Sequence, residues 1–320
     1  MLAVADKMSE PLSSHVLNEP SVCIVLINWN QLNLTLDCLD SLKRIHYTNF
    51  KVVVVDNNSK EDPTKQIKAS FPDTVVLRQM ENLGFAEGNN VGFRYAYEHD
   101  FELVLALNND TIVSESFLKI LVDALRDNNK NYTAISPKIY FKHDPKMIWA
   151  LGGKVSIAKA KGYSYQRKVM DKGQFEKDIK PDYLTGCCLL IKADVLKAFE
   201  GFNKDYFAYY EDTDLSYRLT RAGHQLGIVQ ESVIWHVAGG SSRPNKRKPP
   251  FLTYLGTRNR LMFFRTNMSG FKKIYTVSYI GLDTFTSFIF LMLTLQLRHA
   301  KELLRGLLDG LKYQTNRGSR

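Results

Sequence analysis

Residues 51–59 read KVVVVDNNS, four consecutive valines followed at once by polar side chains. β-Branched residues suit a pleated strand, and an unbroken apolar run reads as a strand covered on both faces. The same pattern recurs upstream at 22–30, VCIVLINWN, and downstream at 103–110, LVLALNND. Further strands are expected at 74–77 and 133–139. Helices are expected over 32–44, 63–70, 85–99 and 116–128. Strands alternating with helices predict a mostly parallel, Rossmann-like α/β sheet flanked by helices. Such sheets bind ligands at the carboxyl ends of their strands. Three polar clusters fall there: Asn28-Trp29-Asn30, Asp56-Asn57-Asn58-Ser59 and Asn108-Asn109-Asp110. Together they predict a pocket along one rim.

The second half changes character. Residues 149–165 are punctuated by glycine and predict a hairpin region. A buried strand is expected at 183–191, YLTGCCLLI, then helices at 193–200 and 213–222, the latter stopped by Gly223. Strands are expected at 225–229 and 233–235. Residues 241–250, SSRPNKRKPP, read as a basic linker or mobile loop able to close over a bound ligand.

The chain has 320 residues, 44% hydrophobic and 24% charged, which excludes a disordered chain, a collagen-like fibre and a small disulfide scaffold. There is no GxGxxG, P-loop or C-x-x-C motif. Cys23, Cys38, Cys187 and Cys188 lack metal-ligand spacing, so buried reduced thiols are expected. Residues 1–20 form a polar lead-in with no positively charged segment before an apolar core, so no signal peptide is expected.

Charge is unevenly placed. Residues 243–320 hold 15 Lys and Arg against 3 Asp and Glu, whereas 1–242 hold 28 against 30. The basic tail surrounds residues 274–297, IYTVSYIGLDTFTSFIFLMLTLQL, whose one charge is Asp283. The length would span a bilayer, but Asp283 near its middle argues against a simple span. Lys272, Lys273, Arg298, Lys301 and Arg305 frame it with cations on both sides. This favours helices lying on the cytoplasmic face of a membrane over a nucleic-acid partner. A homo-oligomer interface or a helical hairpin covering the domain is the alternative. The expected organisation is a catalytic domain over 21–265 and a basic, apolar helical region over 266–320.

In order and spacing, the motifs INWN, VVDNNS, ENLGFAEGNNVG, LNND, TGCCLLI, YEDTDLSYRLTRAG, WHVAGGS and GTRNRL resemble those of the inverting nucleotide-sugar glycosyltransferases of family 2. The resemblance covers about residues 20–265. Within that family the set is similar to rhamnosyltransferase-type enzymes of bacterial surface polysaccharide synthesis. It implies a GT-A fold and a divalent cation, Mg²⁺ or Mn²⁺.

Residue by residue, the resemblance makes Asp56 the reader of the uracil or thymine base, with Asn28, Asn30 and Asn58 lining the same pocket. Asn82, Gly84 and Asn90 fall in a glycine-rich turn into a helix, where exposed N–H groups favour anions. Asn108-Asn109-Asp110 stands where the family carries its Asp-x-Asp metal motif, with Asn108 in place of the first Asp. The implied metal ligands are Asp110 and His236, a mixed oxygen and nitrogen set that suits Mn²⁺. Asp212 is the implied general base, with Glu211 beside it to orient the acceptor; clustered carboxylates raise one another's pKa. Gly186 is expected in the donor or acceptor wall and Arg258 on the donor diphosphate.

The implied reaction moves a sugar, with dTDP-rhamnose favoured and a UDP-hexose next, onto a glycan or lipid-linked glycan. A non-catalytic nucleotide-sugar-binding module is the competing reading, because Asn108 weakens the metal motif.

Overall fold

The computed structural model describes residues 19–175, 179–237 and 249–314. The expected loop at 241–248 and the lead-in at 1–18 lie outside the described residues.

The first strand, β1 (Val22–Asn28), is buried almost throughout and pairs in parallel with β2 (Phe50–Asp56) and β4 (Leu103–Asn108). β3 (Val75–Arg78) adds in parallel beyond β2. Alternation sends Val22, Ile24 and Leu26 into one apolar layer and Cys23 and Val25 into the other. Helices α1 (Leu32–Leu42) and α4 (Phe117–Arg126) cover the first layer. The other is covered by α3 (Gly84–Glu98), α5 (Ala193–Ala198) and α6 (Glu211–Arg221). A short α2 (Thr64–Ser70) leads into β3.

The rest of the sheet comprises β5 (Thr111–Val113), β6 (Tyr132–Phe141), β7 (Asp144–Ala150), β10 (Cys188–Lys192) and β11 (Gln225–His236). Its order is β3-β2-β1-β4-β10-β6-β11-β5, with β7 also on β6. β10 runs antiparallel to both β4 and β6. The four-stranded set β3-β2-β1-β4 is therefore fully parallel and carries the expected rim, while the other half is mixed. The reversal begins at the TGCC turn, where the carbonyl of Cys187 accepts the Asn108 N–H at 2.8 Å. That turn occupies the first part of the expected strand at 183–191. The two short strands expected at 225–229 and 233–235 form one strand, β11, with an irregularity between Val229 and Val233. The expected hairpin region contains β8 (Gly153–Ser156) paired with β9 (Lys161–Ser164).

Three helices close the chain: α7 (Pro250–Asn267), α8 (Gly270–Leu293) and α9 (Leu297–Lys312). Position 265 falls inside α7, whose Leu261, Phe263 and Phe264 join Ile280 of α8 and Tyr206 in a third apolar cluster. The four cysteines are free and buried, and burial pushes the Cys23 and Cys38 thiols up to about 12.

α3 packs flush on β1 through Gly92, where a Cβ would sit 2.2 Å from Cγ1 of Val25. Gly92→Ala gains helix propensity but overpacks this contact, which costs about 1–3 kcal/mol in a well-packed core. Thermal unfolding of the variant should therefore show a lower Tm; an unchanged or higher one would contradict this packing.

Candidate active site

Parallel strands end in backbone and side-chain polar groups that need partners once helices exclude water. Here the partners are one another. Nδ2 of Asn109 donates to Oγ1 of Thr35 at 2.9 Å, and that hydroxyl donates to Oδ1 of Asn28 at 2.9 Å. Nδ2 of Asn28 donates to Oδ1 of Asp56 at 2.8 Å and to Oγ of Ser59 at 3.1 Å. Asp56 is fully buried and also accepts the Ser59 hydroxyl at 2.5 Å and its N–H at 3.2 Å. The network thus ties the ends of β1, β2 and β4 together.

The sequence reading missed two of its parts. Thr35 has no motif of its own; it joins because α1 turns its first helical turns toward the strand ends. Arg78 sits opposite Asp56 in the β2–β3 register, with Nε 3.9 Å from Oδ2 of Asp56 and Nη1 3.2 Å from Asp62. Asn30 and Asn58 remain exposed on the rim in left-handed backbone conformations, φ +56° and +62°.

The glycine-rich turn differs from its expected role. Nδ2 of Asn57 donates to Oδ1 of Asn82 and to the Gly84 carbonyl, while Oδ1 of Asn57 accepts the Leu83 N–H. The Phe207 carbonyl accepts the Ala86 N–H at 3.0 Å. Gly84, at φ +77°, lies so close that a Cβ would meet that carbonyl at 2.5 Å. The amino end of α3 is therefore held by protein groups, and Asn82 and Gly84 shape the turn. Asn90 is likewise a brace: its amide pairs with both the N–H and the carbonyl of Phe202, each at 2.9 Å.

At the end of β4, Asp110 meets His236 as the motif order implies. β11 returns beside β5 and places Nε2 of His236 3.0 Å from Oδ1 of Asp110. The imidazole lies against Trp149, with ring centroids 4.3 Å apart. Nδ1 of His236 and Oδ1 of Asn108 are buried without a hydrogen-bond partner. An adjacent carboxylate and imidazole fit a divalent cation. Among the described residues no group of three His, Cys, Asp or Glu gathers, so the other ligands of such an ion would come from donor phosphates and water.

The acidic pair sits in the first turn of α6, two residues earlier than the expected helix start. Both oxygens of Asp212 are engaged: the Gly186 N–H donates to Oδ2 at 3.0 Å and the Thr213 N–H to Oδ1 at 2.6 Å. The backbone of Gly186 thus supports Asp212. Glu211 is 4% exposed and its Oε2 has no partner. Burial, then the charge of Asp212, pushes the Glu211 carboxyl well above its ordinary value. Burial also raises Asp212, opposed by the Gly186 and Thr213 N–H groups. Both carboxyls are thus pushed up, and Asp212 alone has two backbone N–H groups that favour its charged form. The buried Cys187 thiol is raised first by burial and then by the charge of Asp110.

The backbone before α6 is strained. Phe207, Tyr209 and Tyr210 have φ of +63°, +72° and +73°, costly for bulky side chains. Fully buried Asn259 of α7 offsets this: its Nδ2 lies 2.8 Å from each of the carbonyls of Tyr206, Ala208 and Tyr209. Arg258, expected on the donor diphosphate, donates to the carbonyls of Asp205 and Tyr206 at 2.8 and 2.9 Å. It stacks on Tyr254 and clamps the turn, so its fork is already filled by protein oxygens.

Residues 20–259 match the model of the glycosyltransferase-like family 2. The chain belongs to that family. It is a glycosyltransferase acting on nucleotide sugars. The low-salt glycan biosynthesis hexosyltransferase Agl10 of Haloferax volcanii is 24% identical over 273 residues, covering 84% of this chain and 85% of its own. The rhamnosyltransferase WbbL of Escherichia coli is 23% identical over 227 residues, 62% of this chain and 82% of its own. A mannosyltransferase of Pyrobaculum calidifontis, solved with GDP-Man and Mn²⁺, matches with a TM-score of 0.56 at 15% identity, over 92% of this chain and 88% of that one. That likeness supports the GT-A fold of the transferase.

Because Glu211 is raised in the folded state, its stabilising contribution is full below the ordinary carboxylate value of 4.5 and is lost as pH rises toward the folded value. Glu211→Gln mimics the protonated form and removes that loss. The Tm of the variant relative to the parent should therefore rise with pH above 4.5. Parallel Tm profiles for the two proteins would contradict the assignment.

Proposed function

We propose that this transferase is inverting and metal-assisted, with Asp212 as the base that deprotonates the acceptor hydroxyl. The observation that carries this reading is the division of the acidic pair. Asp212 accepts two backbone N–H groups, while the carboxyl of Glu211, buried and with one oxygen unpartnered, is pushed well above its ordinary value. A carboxylate whose pKa is raised by burial is a stronger base than a free one.

In the proposed reaction the acceptor oxygen attacks the anomeric carbon and the bond to the nucleoside diphosphate breaks. Inversion follows from attack on the face opposite the leaving group, and the hydroxyl proton passes to Asp212. Glu211, whose burial favours the neutral form, stands beside it. Asp110 and His236 would hold Mg²⁺ or Mn²⁺, which supplies positive charge to the departing diphosphate. Asn108, in place of the family's first Asp, contributes no charge to the motif, and its side-chain oxygen is buried without a partner. Asp56 and Asn28 form the base-reading end of the pocket, with Asn30 and Asn58 on its rim. The favoured donor is dTDP-rhamnose, supported by similarity to the rhamnosyltransferase WbbL. A UDP-hexose is the second choice, and the acceptor is a glycan on a lipid diphosphate carrier.

The test is nucleoside diphosphate release from a panel of sugar nucleotides, with lipid-linked acceptors and a chelator control. Release from a dTDP- or UDP-sugar, abolished by EDTA, is expected. Asp212→Asn should lower the rate by about 10²–10⁴-fold while donor still raises the Tm. Chelator-insensitive release would overturn the metal, and near-parental rates in Asp212→Asn would overturn the base.

A further inference from the structure

α8 is long and apolar enough to cross a membrane, yet only 17% of its apolar window is buried in the protein. What holds it is one narrow stripe, Thr276, Ile280 and Thr284, at four-residue spacing. The Tyr275 hydroxyl donates to the Ala158 carbonyl at 2.9 Å. Asp283, the helix's one acidic residue, pairs with Arg260 of α7 at 2.5 Å. Arg260 also donates to the carbonyls of Lys159 and Ala160, in the turn between β8 and β9. The middle of α8 is therefore fastened to the catalytic domain. Were α8 to span a bilayer, Arg260, Asp283 and that hairpin turn would enter hydrocarbon, where charged and polar groups are strongly disfavoured.

The outward surface is apolar. Ile274, Leu282, Phe285 and Phe290 of α8 are 60–67% exposed. α9 continues it. Ala300, Leu303, Gly306 and Gly310 of α9 are buried, and α9 packs on α7. The two glycines permit close approach, since a Cβ there would meet the carbonyls of Tyr254 at 2.6 Å and Arg258 at 3.0 Å. Leu297, Leu304, Leu308 and Leu311 form a second stripe that is exposed. Arg298, Lys301 and Lys312 stand exposed beside it, and Lys272 and Lys273 stand at the start of α8.

We propose that α8 and α9 together form an in-plane docking surface for an anionic lipid bilayer, with α8 lying in the interface and not across it. Apolar side chains enter the acyl boundary while flanking cations meet anionic headgroups. The same cations disfavour a second copy on this face, because a two-fold pairing would oppose like charges.

The full chain is tested by flotation with phosphatidylcholine vesicles with and without phosphatidylglycerol. Binding is expected with phosphatidylglycerol, weakened by salt and released by alkaline carbonate. Phe285→Glu with Phe290→Glu, and separately Arg298→Glu with Lys301→Glu, should each weaken binding at least about ten-fold. These side chains are exposed, so an unchanged Tm will show that the variants fold. Carbonate-resistant binding, as for a spanning helix, would overturn the proposal. So would binding indifferent to phosphatidylglycerol and to the charge reversals, or a stable dimer that does not bind vesicles.

Discussion

Three parallel strands end at one place, and their polar ends must be satisfied without water. The hydrogen-bond chain from Asn109 through Thr35 and Asn28 to Asp56 and Ser59 meets that requirement. It crosses β4, α1, β1 and β2, so it fixes the heights of the strand ends relative to one another. Asp110, the residue after Asn109, inherits its position from this chain. Were one member lost, its partners would become buried unpaired polar groups, which cost more than the bond itself.

The other half of the site is positioned by opposition between strain and clamp. The turn before α6 holds three bulky residues at positive φ, and it delivers Glu211 into the interior with Asp212 partly exposed beside it. Asn259 and Arg258 of α7 hold its carbonyls, so the C-terminal helices reach the chemistry through the backbone they hold. The TGCC turn completes the arrangement: Cys187 binds the end of β4 and Gly186 binds Asp212. A single turn thereby links the expected metal end to the expected base.

Much of this was legible in the sequence, and the exceptions share a cause. Valine-rich runs ending in Asn and Asp marked strand ends because burial and its abrupt loss are local signals. The meeting of Asp110 with His236 was implied by the family resemblance, the 125 residues between them being spanned by the pairing of β11 with β5. Side-chain partners across elements were not legible. Asn90, Gly186 and Arg258 carry donors suited to a ligand, but the fold offers them Phe202, Asp212 and the 205–206 carbonyls first. Thr35 and Arg78 were missed because their roles arise only from register and helix rotation. The antiparallel β10 was hidden because a buried apolar run reads the same in either direction.

The central claim is that Asp110 and His236 form the protein's share of a divalent cation site. The most direct measurement is anomalous diffraction at the manganese edge from crystals grown with Mn²⁺ and UDP or dTDP. A manganese peak within coordination reach of Asp110 and His236 is expected. Bound nucleotide with no manganese at these residues, their 3.0 Å contact intact, would contradict it.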